Sequence, residues 1–400
     1  MKTLFLAWRY LWSRPLGAAL NLLLLSLGLA SITFLLLVGH QLNQAFERDL
    51  AGIDLVVGAK GSPMQLILSG VFHIDVPPGN VPLKAVRELE KNPMVASLIP
   101  ISLGDNFRGF RIVGTSHDYL THYQATLAQG RLWDAPMQVV LGATAARKLG
   151  LALGDSFVGS HGLGAGGHTH GDNPYTVTGI LAPGGSVLDR LILTDTASVW
   201  KVHEDYTAVD ADDRQVMEEE REVTLALIRY KTPMAALSLP RYVNTSTEMQ
   251  AAAPALEITR LLSMLGIGTD VLRAFAGVLL LTAGLSVFIA LWSAVRERRA
   301  DLALLRMLGA SPSKVAALLL TEALWLGALA AVLGVAGGEA LAALIGWMLQ
   351  LDNSLLIGGL VWPPVLLVVP CLALGVSLAA AILPALGAYR VSVFELLQSR

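Results

Sequence analysis

Hydrophobic and polar positions divide this chain sharply. Apolar stretches run over Leu16–Gly39, Ala274–Ala294, Val315–Leu349 and Leu360–Ala388, and a long, mostly polar region separates the first from the other three. Each stretch is long enough to cross a bilayer, because about 20 helical residues cover a hydrocarbon core of about 30 Å. The pattern predicts four transmembrane helices in a 1+3 layout with a large domain hung between the first and second. We read an interfacial helix over 1–15 and spans at 16–39, 273–294, 313–349 and 361–388. The large domain covers 40–272, with a subdomain near 130–215 inserted in it. A short loop follows at 295–312, an outer loop at 350–360 and a tail at 389–400. Within 1–15, the aromatics Phe5, Trp8, Tyr10 and Trp12 suit headgroup depth.

The large domain alternates short β-rich and helical segments. Ile53–Val57, Phe110–Val113, Gln138–Leu141, Tyr175–Leu181, Leu191–Thr194 and Glu222–Tyr230 read as strands. Leu83–Lys91, ending at Asn92-Pro93, and Ala143–Leu149 read as helices. His40–Leu50 is expected to extend the first span outward as helix, and a stalk helix is expected after Pro254. The class is α+β. Asp210–Glu222 carries nine charged residues in thirteen and reads as an exposed loop or solvated helix face.

Composition agrees with a membrane protein. The 400 residues are 54% hydrophobic and 15% charged, with a mean hydropathy of +0.57; soluble domains carry about 25% charged residues. Charge then supplies orientation. The N-terminus, the second loop and the C-terminus hold ten basic residues against three acids, which leaves 19 basic and 28 acidic residues elsewhere. The positive-inside rule places those segments in the cytoplasm and the large domain outside, periplasmic or extracellular. The first apolar run exceeds the 7–15 residues of a signal peptide core and no A-x-A site follows it, so it reads as a retained anchor. The one cysteine, Cys371, falls in the fourth span, so the outer domain relies on an apolar core rather than disulfides.

The most specific local signal is VRERRADLALLRMLGA, Val295–Ala310. As a helix it places Val295, Leu302, Leu305 and Leu308 on one face and its charges on the rest. Gly309 suits a left-handed C-terminal cap; Ser311 and Pro312 suit the start of the next helix. Two readings follow: a basic anchor for anionic lipid, or a coupling helix for a cytoplasmic partner. VRERRADLALLRMLGASPSKV with LLLTEAL resembles the signature of the FtsX-like, MacB-type family of ABC transporter permeases, which includes the LolC/LolE subunits. YRVSVFELLQSR resembles that family's closing motif, and VVLGATAARKLGLALGDSF and YTVTGILAPGGSVLDRLILTD resemble its periplasmic core.

The resemblance implies an outer domain of porter and sabre lobes and an inner-membrane location. It also implies mechanotransmission: ATP hydrolysed by a cytoplasmic ABC ATPase subunit moves the outer domains. It makes Arg296, Arg298, Arg299, Asp301 and Arg306 the ATPase-coupling residues, with Leu302 and Leu305 as apolar anchors. The partners implied are that ATPase, a second copy of the chain or a paralogue, a periplasmic adaptor or binding protein, and lipid; nucleic acid is not among them. No G-x-x-x-x-G-K-[ST] occurs here, so ATP is expected to reach the complex through the partner, and the chain is read as a non-enzyme that binds no cofactor of its own.

Three cargo readings stay open: a small amphiphile or metallophore, lipid or lipoprotein, or allosteric activation of a wall hydrolase with nothing transported. The alternative class is a membrane-anchored ligand or metal sensor, or scaffold, working without an ATPase. Candidate chemistry outside the coupling loop is sparse. His161, His168 and His170 with Asp172 occupy a glycine-rich loop, and imidazoles suit weakly bound zinc or copper, although H-x6-H-x-H is no standard structural zinc spacing. Lys60 and Ser62 lack the further groups a nucleophile needs. Met64–Phe72 reads as a helix whose apolar residues form core or an apolar groove. Glu322 and Glu339 fall within the third span, where acids are functional candidates.

Overall fold

Prolines mark where the long helices begin. Pro15, Pro254 and Pro312 each sit at a first helical position, where the missing N–H costs nothing. The structure is a computed structural model and describes residues 2–13, 15–162, 173–203, 217, 220–351 and 362–389. They form two compact units, one of residues 1–43, 265–351 and 355–400, the other of residues 44–264 and 352–354.

The first unit is helical. A short helix α1 (Lys2–Leu11) precedes α2 (Pro15–Leu50), which carries the first apolar stretch. The other three apolar stretches lie in helices over Asp270–Glu297, Pro312–Met348 and Pro364–Tyr389, each long and apolar enough to cross a membrane. The bundle packs through small residues. On the third of its long helices, Gly334 and Gly338 lie against α2: a Cβ built on them would stand 2.5 Å from the Cβ of Leu29 and 2.4 Å from that of Thr33. This is the GxxxG arrangement, in which missing side chains let backbones approach. Gly327 meets the Ala373 carbonyl and Ser377 in the same way. A part-buried polar contact joins the first two spans, Ser286 Oγ donating to Asn21 Oδ1 at 2.6 Å.

The second unit is built on a mixed sheet. Its strands are β1 (Leu55–Ala59), β2 (Val81–Pro82), β3 (Val95–Phe107), β4 (Phe110–Thr115), β5 (Leu127–Gly130), β6 (Gln138–Leu141), β7 (Ser156–Phe157), β8 (Ser160–His161), β9 (Tyr175–Leu181), β10 (Ile192–Asp195), β11 (Glu222–Val223), β12 (Leu225–Tyr230) and β13 (Met249–Ala252). The main path runs β13-β1-β12-β3-β4-β10-β6-β9-β5, with β7 on β9, β8 on β3, and β2 with β11 as a separate pair. β10 runs parallel to β4 and β6 parallel to β9; the other pairings are antiparallel. Alternation sorts the side chains: Val56 enters one core, Leu55 and Val57 another on the opposite face. A third core gathers Ile112, Val139, Leu141, Tyr175, Val177 and Ile192.

Helices α3 (Pro63–Gly70), α4 (Leu83–Glu90), α5 (His117–His122), α6 (Ala143–Leu149), α7 (Thr196–His203) and α8 (Ala235–Ser246) cover this sheet. The chain then enters α9 (Pro254–Glu297), followed by α10 (Arg299–Met307), α11 (Pro312–Leu351) and α12 (Val368–Tyr389). Most expected elements stand where the sequence places them. Three differ. The strand expected at Ile53–Val57 starts at Leu55, because α2 runs to Leu50 and the chain turns at Gly52 with φ +79°. The expected strand Glu222–Tyr230 divides at Thr224, whose hydroxyl accepts from the Leu103 N–H and donates to Asn80. The 13-residue β3 and helices α5, α7 and α8 carry no clear periodic signal. The expected loop Asp210–Glu222 lies largely outside the described residues.

Candidate functional site

The loop 295–312 lies at the basic end of the bundle. Helix α9 ends at Glu297, Arg298 breaks the run with ψ 15°, and α10 restarts at Arg299. Gly309 closes α10 at φ +93°, where a side chain would be strained though space is open. The Ser311 hydroxyl then accepts the Lys314 N–H at 3.4 Å and caps the start of α11, so a tight turn separates α10 from the next helix.

Arg298 turns inward. Its guanidinium donates to the Tyr10 carbonyl at 3.0 Å and to Ser13 Oγ at 2.6 Å, and lies 4.7 Å from the Tyr10 ring centroid. It also stands 3.6 Å from Glu322 Oε2 on α11, with the two side chains 15% and 7% exposed. One arginine therefore straps α1, the start of α10 and α11 together. A second strap lies beside it: Trp325 Nε1 donates to the Leu4 carbonyl at 3.2 Å, and Trp8 packs edge-on to Trp325 at 5.1 Å. A charge pair in so dry a place is tolerated because each ion meets an opposite charge and the cation has further acceptors.

The other expected coupling residues divide. Leu302 is buried with Leu11, Val315 and Leu319 in the bundle's own core, and Leu305 packs at its margin. Arg296 and Asp301 are exposed and Arg306 is half-buried. The Arg299 side chain lies outside the described residues. Besides the exposed Asp301, α10 and its C-cap present an apolar group outward: Leu304, Met307 and Leu308 are 55%, 56% and 78% exposed. Helical periodicity groups Leu308 with Val295, Leu302 and Leu305; in the fold those three pack inward, while Leu308, just past the end of α10, lies outside with Leu304 and Met307.

Glu339 belongs to the same helix as Glu322, about 25 Å farther along at 1.5 Å per residue. It is half-buried, and its Oε1 has no hydrogen-bond partner among the described residues. His168, His170 and Asp172 lie outside the described residues, as does the His161 side chain; the His161 backbone pairs with Asp105 at the end of β3. Among the described residues no three His, Cys, Asp or Glu side chains converge as metal ligands. Ser62 caps α3, accepting from the Gln65 N–H, and Leu66, Ile67, Val71 and Phe72 fill a core.

In the second unit, a buried polar cluster that the sequence did not disclose holds the last turn of α2. Tyr123 donates to the Asp49 carbonyl at 2.8 Å, and Asp49 Oδ1 accepts from the Val187 N–H at 3.3 Å. Phe46 meets Phe72 edge-on at 5.1 Å. Behind them Tyr119 is hydrogen-bonded to His73 Nε2 at 2.9 Å, and His73 adopts φ +56°. Arg111 donates to the carbonyls of Ser69 and Asp75. Burial, reinforced by the nearby Arg111 and Arg190 charges, pushes the His73 pKa well down and holds the ring neutral. Burial likewise raises Tyr119 and Tyr123 and lowers Arg111 to about 10. Ile258, Leu261 and Leu262 from the start of α9 join the same core. The segment HDYLTHY, His117–Tyr123, was the available sequence signal; its partners lie far away in the chain.

Residues 18–225 match the family described as the MacB-like periplasmic core domain, and residues 273–393 match the FtsX-like permease C-terminal family. A pyoverdine export ATP-binding/permease protein, PvdT, of Pseudomonas putida is 25% identical over 378 residues, covering 88% of this chain and 53% of that protein. Its namesake in Pseudomonas fluorescens is 24% identical over 370 residues, covering 87% and 52%. The chain thus spans about half the length of these relatives. Among solved structures, the periplasmic region of MacB from Actinobacillus actinomycetemcomitans matches with a TM-score of 0.36 and 13% identity, over 54% of this chain and 95% of that one. The extracellular domain of the noncanonic ABC-type transporter YknZ from Gram-positive bacteria matches with a TM-score of 0.32 and 12% identity, over 49% and 98%.

Proposed function

The chain belongs to the FtsX-like, MacB-type family of ABC transporter permeases, and from that premise we propose that it transmits the stroke of an ABC ATPase to its inserted domain to drive export. The observation that carries the proposal is α10: a short helix at the basic end of the bundle, closed by Gly309, that leaves the apolar Leu304, Met307 and Leu308 open. A helix of that kind gives an ATPase an apolar anchor with charges at its rim. In this reading Leu304, Met307 and Leu308 meet the ATPase, Arg296 lies at the rim, and Arg298 works from inside. A push on α10 reaches α11 through Glu322 and α1 through Tyr10 and Ser13.

The nucleotide site lies outside these 400 residues, which hold no phosphate-loop motif. The α10 end faces the cytoplasm, the inserted domain faces the periplasm, and the working unit is a dimer. We place the cargo among small amphiphiles, metallophores included; the two PvdT relatives, named as pyoverdine export proteins, support that class. Reconstitution in nanodiscs with the cognate ATPase tests the reading. Wild-type chain should stimulate hydrolysis, and Leu304→Asp with Met307→Asp should abolish both stimulation and copurification without loss of folded chain. Full stimulation by that double variant would refute docking at α10.

A further inference from the structure

The second unit holds a cleft of about 540 Å³ between α4, α8 and the start of β13, within the range of small-molecule sites. Its floor is apolar: Val81, Leu89 and Met249 line it, and each is nearly fully buried in the core beneath. Its rim is polar, with one more carboxylate than cation. Glu88 and Glu248 carry carboxylates there, against one cation, Lys60. The last turns of two helices, α4 and α8, also face it, and helix C-terminal ends bear partial negative charge. Tyr242, on the last turns of α8, is 46% exposed and supplies an aromatic face.

The polar lining also shows which groups are already occupied. The side-chain oxygen of Asn80 accepts from Thr224 and that of Asn92 from the Met94 N–H, so these amides brace the fold. Lys60 Nζ lies 3.3 Å from Glu248, but its side chain is 52% exposed and that of Glu248 98%. Such surface pairs are weak and exchange readily. A ligand ammonium can take the place of Lys60 beside Glu248, lie over the Tyr242 ring, and lay an apolar body on Val81, Leu89 and Met249.

We propose that this cleft binds a small amphiphile bearing an ammonium group, with Glu88, Glu248 and Tyr242 recognising the cation. The proposal stands on the cleft alone and goes beyond the permease reading, since it holds whether or not an ATPase docks on α10. The test uses the full chain in nanodiscs of zwitterionic phosphatidylcholine. Isothermal titration compares phenethylammonium with 2-phenylethanol and phenylacetate, which share its apolar body, and empty nanodiscs give the background. Saturable phenethylammonium binding is expected, at least tenfold tighter than either analogue. Glu88→Gln with Glu248→Gln should weaken it about tenfold, Tyr242→Leu several-fold, and Lys60→Met should tighten it by removing the competing cation. All four positions are exposed or half-exposed, and an unchanged unfolding midpoint confirms that each variant is folded. Three results would each overturn the proposal: no saturable phenethylammonium binding, equal or tighter binding of an analogue, or weaker binding in Lys60→Met.

Discussion

Replacing Arg298 by methionine strips a nearly dry carboxylate of its cation. Glu322 is 7% exposed on its side chain and has Arg298 at 3.6 Å, and removing one partner of such a pair costs ~3–5 kcal/mol. The same substitution deletes the donations to the Tyr10 carbonyl and Ser13 Oγ, and hydrogen bonds involving a charged group contribute ~1.5–3 kcal/mol each. These effects share one side chain and do not simply add, so we expect a net loss of ~4–5 kcal/mol. The double variant Arg298→Met, Glu322→Leu should recover ~2–3 kcal/mol of it, because an apolar pair of similar size removes the stranded charge; the lost strap to α1 remains. The assay is reversible unfolding in mixed micelles, followed by tryptophan fluorescence, since Trp8 and Trp325 pack within the strapped region. The full cycle yields the coupling energy directly. If the double variant is as damaged as Arg298→Met alone, the pair contributes nothing and the strap argument fails.

Three further outcomes are expected. Gly338→Ala should cost ~1–3 kcal/mol by overpacking, because its Cβ would lie 2.4 Å from the Thr33 Cβ and 2.8 Å from the Ala30 carbonyl, whereas Gly375→Ala, with nothing within 4 Å, should be neutral; equal effects in the same unfolding assay would sink the close-packing account. Tyr123→Phe should cost ~0.5–1.5 kcal/mol by removing its bond to the Asp49 carbonyl, and in a reconstituted system should lower transport per ATP more than hydrolysis itself; a proportional fall in both would argue for a purely structural role. His73 is held neutral when folded, so its pKa lies below the ordinary 6.5. The unfolded chain takes up that proton first, and stability should fall as pH drops from about 6.5, with His122 acting in the same direction. His73→Asn, which tolerates the positive φ, should flatten the profile between pH 7 and 5.5; an unchanged slope would show that His73 is not the source.

The 1+3 layout was legible because a membrane imposes one demand throughout a span, and twenty apolar residues declare it. Strands such as Tyr175–Leu181 were legible for a related reason. That strand has one face buried and the other partly exposed, so its sequence alternates. β3 was not legible. It is buried on both faces over much of its length, carries Pro100 and Gly104, and changes register between Leu103 and Asn106, so no period of two survives. Helix α8 contains Pro240 and depends on packing by Leu239 and Val243, a tertiary effect that outweighs its local signal.

The loop 295–312 shows where periodicity stops being sufficient. A helical wheel separates apolar from charged positions, but it does not say which apolar face the bundle consumes. Leu302 went inside because Val315, Leu319 and Leu11 surround it, and those residues arrive from two other helices. Leu304, Met307 and Leu308 are left outside as a result. The charges obey the same logic. Arg296 and Arg298 are two residues apart, so they point to different sides of a helix, and the helix break at Arg298 aims its guanidinium at α1 and Glu322. An intramembrane acid and a loop arginine 24 positions away carry no mark of their pairing in the sequence. Each was visible as a candidate; the reason both are charged is a single shared site at which either alone would be costly. It follows that substitutions at Arg298 and Glu322 should compensate one another, while those at Arg296 and Leu304 should act without regard to Glu322.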